Sequence, residues 1–163
     1  MINMMNKLEN NSKSLDGLSF HDCKVYALGY DEKNNQFLLD VDYISSEWTL
    51  DENGYYSFEV VPSTFVFENA WDININISMD NELIIDGIER SNPAIPRNIN
   101  YLPENTMEYD WKIDFLQGEI ILKAIGFSIY QRKEATLQKS LNLTIDDRNG
   151  ISLKKEGILC QIY

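Results

Sequence analysis

The sequence is poor in the residues from which catalytic and metal sites are usually built. Its 163 residues hold a single histidine, His21, and two cysteines, Cys23 and Cys160, which lie near opposite ends of the chain. A structural zinc site needs about four closely spaced Cys or His ligands, and a disulfide framework needs more than two cysteines. We therefore predict no metal site, no cofactor and a reducing compartment.

Long apolar runs are missing as well. No stretch approaches the roughly 20 apolar residues of a membrane-spanning helix, and the opening MINMMNKLENNSKS has no continuous apolar segment of the kind found in secretion signals. We expect a cytoplasmic protein without membrane association. Residues 1–14 are predicted to be a loose polar tail, and residues 15–163 a single domain, since this length supports one sizeable core.

Positive charge is missing from a third of the chain. No Lys or Arg occurs between Asn34 and Glu89, and this window carries twelve of the 26 acids. The other 14 acids equal the 14 bases outside the window, so the window accounts for the whole net charge of −12. Phosphates would be repelled by such a surface, which disfavours nucleic acid. A basic protein partner is favoured, and charge that serves only solubility is the alternative.

Alternation of apolar and polar residues dominates what remains and predicts β-strands. In QFLLDVDYI, the apolar residues at 37, 39, 41 and 43 share one face, and Asp40 and Asp42 share the other. A half-buried strand would turn these two acids towards solvent. With few helix candidates and no βαβ pattern, we expect a mostly β, antiparallel domain, built as a curved sheet, a sandwich or a partly closed barrel.

Turn residues predict three hairpins. Residues 71–79 (WDININISM) and 82–90 would pair around Asp80-Asn81, and the segments LNLTI and ISLKK would pair around the turn at 147–150. The third hairpin joins residues 109–115 to 119–130 through Gln117-Gly118. In its predicted register, Trp111 lies opposite Ala124.

Prolines mark two irregular regions. Apolar parity changes at Pro62 within NGYYSFEVVPSTFVF, and proline cannot donate to a strand ladder, so a bulge or an edge position is expected there. The segment RSNPAIPRNINYLPENT contains three prolines and has no period, which predicts a long surface loop.

The stretch LSFHDCKVYALGYD raises the question of catalysis, because His21 stands beside Asp22 and Cys23. A His-Asp metal phosphohydrolase would need further histidines, and a triad would need a nucleophile elbow or oxyanion loop that the sequence does not show. The simpler interpretation is a turn at the start of a strand. A hydrolase using His21 is kept as the less favoured alternative, and we expect no catalytic residue.

Aromatic residues leave two further interpretations open. The three tryptophans and nine tyrosines can line a ligand cup in a small-molecule-binding β-barrel, although residues at period two are more often core. Acids beside aromatics instead suit recognition of a Lys/Arg-rich protein surface. On this basis the predicted partner contacts are Asp40, Asp42, Glu47 and Asp72.

The runs FHDCKVYALGYDEKNNQFLLDVDYISSEW and FEVVPSTFVFENAWDININI resemble a group of small bacterial β-rich proteins. These share an early His-Asp, a strand of the LDIDYI type followed by Trp, and a P.T.VF.N..D strand. Some members are similar to immunity proteins of polymorphic toxin systems. The resemblance implies a non-enzymatic acidic protein that binds and neutralises a basic partner such as a nuclease-type toxin, and it implies no active site.

Overall fold

The computed structural model of the protein describes residues 12–45 and 49–163. Two short 3-10 turns, Leu15–Gly17 and Ile99–Tyr101, are the helical segments among these residues. The strands are β1 (Ser12–Lys13), β2 (Lys24–Asp31), β3 (Gln36–Ile44), β4 (Thr49–Leu50), β5 (Tyr56–Glu68), β6 (Trp71–Ile77), β7 (Leu83–Ala94), β8 (Glu108–Phe115), β9 (Gly118–Ala124), β10 (Gly126–Gln131), β11 (Thr136–Gln138) and β12 (Ile158–Ile162). No helix of the described residues is long and apolar enough to span a membrane.

All twelve strands belong to one sheet, which does not close into a barrel. Its order is β1-β12-β10-β5-β3-β2-β7-β8-β9-β6, with β4 and β11 each paired to β5. Every pairing except the parallel one between β1 and β12 is antiparallel. The predicted mostly β, antiparallel fold is therefore confirmed.

The sheet folds over at β2 and β7, so that its two halves enclose one core. The strands of the two halves pair through a short ladder, in which Lys24 lies opposite Ile84 and Val25 opposite Leu83. Across the core, the ring of Trp111 on β8 lies 5.4 Å from that of Phe67 on β5, in an edge-to-face arrangement. Such contacts bury the alternating apolar residues of both halves, which supplies the main driving force for folding.

The hairpin between β8 and β9 is confirmed, but its predicted register is wrong by two residues. Ala124 lies opposite Tyr109 rather than Trp111, and the strands turn through Leu116 and Gln117. Gly118 is not a turn residue: its φ is +143°, and a Cβ there would lie 2.1 Å from the carbonyl oxygen of Asn76. The glycine is needed because β6 approaches closely, a tertiary cause that turn rules do not include.

The return strand also ends earlier than predicted. Residues 119–130 form two strands, because β9 stops at Ala124 and β10 leaves it to pair with β5. The backbone N–H of Ile125 donates to the carbonyl of Glu68 at 2.9 Å and marks the transfer between the two halves.

The predicted hairpin of residues 71–79 with 82–90 is wrong. Strand β6 pairs with β9 and β7 pairs with β8, so the two lie on opposite sides of the β8–β9 hairpin. The connection between them crosses the end of that hairpin, where the N–H groups of Ser78 and Ile84 donate to the backbone carbonyl and the side chain of Gln117.

Two further local predictions are wrong. Residues 139–157 contain no strand, so the predicted hairpin around 147–150 is absent. The predicted loop after residue 90 begins later, because β7 continues to Ala94 with a bulge between Ser91 and Ala94. In the second case the cause is pairing with β8, a distant strand that local turn signals do not take into account.

Pro62 lies neither at a bulge of its ladder with β3 nor at a sheet edge. It sits opposite Asp42 in an unbroken register, and on its other side the partner of β5 changes from β11 to β10. A residue without an N–H fits this gap between two partners. Ser12 and Lys13, near the end of the predicted tail, form β1; residues 1–11 lie outside the described residues.

Candidate functional site

The first two predicted contact residues, Asp40 and Asp42, are buried rather than exposed, with relative accessibilities of 0%. They do point away from the core, as the alternation required. The outer face of β3 and β5 is covered by residues 139–157, which we call the strap. The prediction that these acids reach solvent is therefore wrong.

Two arginines neutralise these acids. Arg148 of the strap, itself 0% exposed in its side chain, donates from Nη1 and Nη2 to the two oxygens of Asp40 at 2.9 and 2.8 Å and from Nε to Asp42 at 3.0 Å. Arg132 donates to Asp40 at 2.6 Å. The hydroxyl of Tyr26 donates to Asp42 at 2.7 Å. A bidentate Arg–carboxylate pair of this kind is strong and geometrically specific.

The partners of Asp40 and Arg148 favour the charged form of both groups. Burial alone would raise the pKa of Asp40, but hydrogen bonds from Arg148 and Arg132 outweigh it and hold that pKa below its ordinary value. Burial would lower the pKa of Arg148, and Asp40 and Asp42 more than offset this. Groups that are paired in this way anchor the strap to β3.

The other two predicted contacts differ from this pair. Glu47 lies outside the described residues. Asp72 is exposed, at a bulge of β6 where its φ is +52°, and its carboxylate accepts a hydrogen bond from Arg97 at 2.6 Å. The structure thus does not gather Asp40, Asp42 and Asp72 on one surface.

In the folded protein, half of the acids in the window 34–89 lie close to positively charged residues or to the histidine from other parts of the chain. Six of its acids pair with bases or with the histidine that lie elsewhere in the chain: Asp40, Asp42, Asp51, Asp72, Glu82 and Asp86. By contrast, Glu52, Glu59 and Asp80 make no ion pair among the residues that the structure describes. A gap in the sequence is therefore not a gap in space, and the excess negative charge is concentrated at fewer positions.

Two of these unpaired acids, Glu52 and Glu59, lie on a part of the sheet that we call the arm, which is formed by residues 49–59 together with residues 136–139. In it β4 and the start of β5 pair across a turn, and β11 pairs with β5 on the other side. Asp51 shapes the turn by accepting hydrogen bonds from the N–H groups of Asn53 and Tyr55, both at 2.9 Å. Large apolar side chains are exposed along the arm: Leu50 57%, Tyr55 60%, Tyr56 52% and Leu137 65%.

His21 forms a turn with Asp22 directly before β2, as predicted. Its ring nitrogens lie 2.9 Å from a carboxylate oxygen of Asp22 and 3.2 Å from one of Asp86. It lines a cleft of about 550 Å³ together with nine other residues, among them Ser19 and Tyr43. A catalytic base needs a ring nitrogen free to take a proton from a nucleophile, whereas both nitrogens here face carboxylates.

Cys23 does not complete a catalytic pair with His21. It is fully buried, and burial raises the pKa of its thiol to about 12. The thiolate, which is the nucleophilic form, is strongly disfavoured at such a value. Cys160 is buried as well. Among the described residues no cluster of three or more His, Cys, Asp or Glu side chains is arranged to hold a metal ion.

Comparisons of the chain with protein-family models, with curated proteins and with solved structures found no match. Function therefore has to be argued from the site geometry.

Sequence reasoning missed Arg132 and Arg148, although a signal was present. In β5 both parities are apolar, with Val60 and Val66 on the face opposite Val61 and Phe65. A strand that is apolar on both faces must be covered on both, which predicts a cover over the neighbouring Asp40 and Asp42. Identifying the arginine that would pair with them required the tertiary structure.

Proposed function

We propose that this protein is a non-enzymatic binding protein that captures and neutralises a basic protein partner, as would be expected if it acts like the immunity proteins to which some members of the similar bacterial group are related. The observation that carries the proposal is the arm, which presents exposed tyrosine and leucine side chains beside uncompensated acids. Exposed apolar residues grouped in this way mark interaction sites, and aromatic residues are enriched at the centres of protein interfaces.

The arm also contains an example of the recognition it would perform. The ammonium group of Lys139 lies 4.5 Å from the centroid of the Tyr55 ring and 3.7 Å from the carboxylate of Asp51. A cation over an aromatic face with a carboxylate alongside is a favourable arrangement. Glu52 and Glu59 are exposed on the same arm and would offer carboxylates to further Lys or Arg side chains of a partner.

Net charge supports a basic partner over a neutral one. At −12 the whole molecule attracts cationic proteins over a distance set by ionic strength. Electrostatic steering raises association rates more than it raises final affinity. An inhibitor that must capture a toxic enzyme quickly benefits from this.

The sheet favours this proposal over a small-molecule-binding barrel. It does not close into a barrel, and the main depressions among the described residues are open to solvent rather than enclosed. Trp111 also cannot line a ligand cup, because it is fully buried in the core.

The test is association kinetics with the purified basic product of a neighbouring gene, measured at low and high salt. We expect association to slow as salt rises, and Tyr55→Ala with Leu137→Ala to speed dissociation.

The double variant Glu52→Lys with Glu59→Lys should slow association about tenfold. Its matched control, Glu104→Lys with Glu156→Lys, makes the same change in net charge at exposed positions outside the arm and should have a smaller effect. Equal effects of both double variants would refute the arm as the binding surface, and binding indifferent to salt would refute the charge argument.

A further inference from the structure

Two edges of the sheet, on β6 and on β2, differ in how they are protected. On β6 the outer edge carries a bulge at Asp72, and Arg97 binds that residue from the side. Bulges and edge charges are common means of preventing unwanted strand pairing. On β2 the ladder to β7 ends at Val25, whereas the ladder to β3 continues to Asp31.

The outer edge of β2 is therefore open over residues 26–31, and the one irregularity in its ladder with β3 is a bulge at Tyr26, at the start of this stretch. Among the described residues no strand pairs with it there, and no backbone hydrogen bond from outside the sheet reaches it. Residues 27–31 are paired with β3 in regular register, so the open side presents a regular row of backbone groups. Its six residues span ~20 Å, enough for one short strand.

A groove runs along this edge. It has a volume of about 350 Å³ and lies between residues 24–28 of β2 and the connection at Met79, Asn81, Glu82 and Leu83. Leu28, Tyr30 and Met79 are 40%, 44% and 57% exposed beside it. Because β7 turns away from β2, the core-side face of the β2 edge is left without a covering strand, and these apolar side chains are what a bound strand would cover.

The charges around the edge identify the occupant. Glu82 lines the groove, and Asp80 lies in the chain between the lining residues Met79 and Asn81. Asp31 and Glu32 lie at the far end of β2. Lys24 already pairs with Glu82, and Lys155 with Asp31. Asp80 and Glu32 have no cationic partner among the described residues. A second copy of the chain fits poorly, because two molecules of charge −12 repel each other.

We infer that the open edge of β2 binds an extended segment of a basic protein by strand addition, with the apolar side chains of that segment in the groove and its Lys or Arg residues near Asp80 and Glu32. Backbone hydrogen bonds supply affinity in this mode and side-chain pockets supply specificity. The inference rests on the proposed function and assigns the partner a second contact, distinct from the arm.

The test uses the full chain and a synthetic peptide of six alternating Val and Thr residues with two lysines at each end. We expect amide chemical-shift changes concentrated at residues 26–31 and 79–83. Leu28→Lys should weaken peptide binding at least tenfold. Ile75→Lys is the matched control, since Ile75 lies on the other free edge at a similar exposure of 46%, and it should change binding less than twofold.

Each other outcome overturns the inference. The first is no binding, and the second is shift changes mapped to β6 or the arm. Equal binding of a peptide with a central proline would show that strand pairing is not the mode. Self-association of the protein that increases with salt would identify a second copy as the occupant. If the basic gene neighbour binds but Leu28→Lys leaves its affinity unchanged, strand addition fails while the proposed function stands.

Discussion

The two outer faces of the folded sheet carry the same sequence pattern and have opposite surroundings. On β3, Asp40 and Asp42 alternate with core residues, and on β8, Asp110 and Lys112 do so as well. The face of β3 is covered by the strap, and its acids are completely buried against arginines. The face of β8 is open, and its Asp110 pairs with Lys123 at 2.6 Å with both side chains a third or more exposed.

The difference shows what alternation does and does not determine. Alternation identifies which side chains point away from the hydrophobic core. It does not determine whether those side chains reach solvent or are buried under another segment of the chain. Energetically the two faces should also differ, since breaking a buried ion pair leaves an unpaired charge in a poor solvent, whereas an exposed pair gains little over hydration by water.

The largest expected effect is that of Arg148→Ala. Removing this side chain leaves Asp40 and Asp42 buried with one remaining arginine, Arg132, and detaches the centre of the strap. We expect a loss of about 3–5 kcal/mol in the free energy of unfolding, measured by urea denaturation. Amide exchange should become faster over residues 139–157. A loss below 1 kcal/mol would mean that the network does not hold the strap.

Acid should reveal the same difference between the faces. The folded-state pKa of Asp40 lies below its ordinary value, so its ionisation stabilises the fold above that ordinary value, and the contribution is lost as pH falls through the lowered pKa. We expect stability to decrease steeply below about pH 4, and this part of the decrease to be absent in Asp40→Asn. The pKa of Asp110 is also lowered, by Lys123 and Asn92. Because Asp110 is partly exposed to solvent, we expect it to contribute less to the pH dependence of stability than Asp40 does. Identical pH profiles of wild type and Asp40→Asn would contradict the assignment.

A double-mutant cycle on Asp110 and Lys123 measures the coupling energy of an ion pair on the open face of β8. The pair is exposed to solvent and screened by salt, so we expect a coupling energy of about 0.2–1 kcal/mol that falls at high ionic strength. The cycle also serves as the control for Arg148→Ala. A coupling as large as the loss in that variant would remove the distinction between the faces.

The sequence allowed the strands and the core to be predicted because both depend on local alternation. Phe37, Leu39 and Val41 face the core as expected. Pairing was harder, since the partner of β6 is decided by contacts far along the chain. The glycine at 118 illustrates this: its turn-like position in the sequence reflects the approach of Asn76. The buried network was not predicted, because Asp40 and Arg148 are separated by 108 residues and no local pattern connects them.

The smallest expected effect is that of His21→Ala, which tests whether the exposed histidine has a role beyond its turn. Its side chain is 58% exposed, and its contacts with Asp22 and Asp86 are surface interactions, so we expect a loss of at most ~1 kcal/mol in unfolding free energy. Binding to a basic partner should be unchanged within twofold, since His21 lies outside the arm and outside the β2 groove. The measurements are thermal unfolding, partner affinity, and turnover of ester and phosphodiester substrates. Turnover that is present in the wild type and absent in His21→Ala would replace the binding function with a hydrolase that uses the cleft at His21.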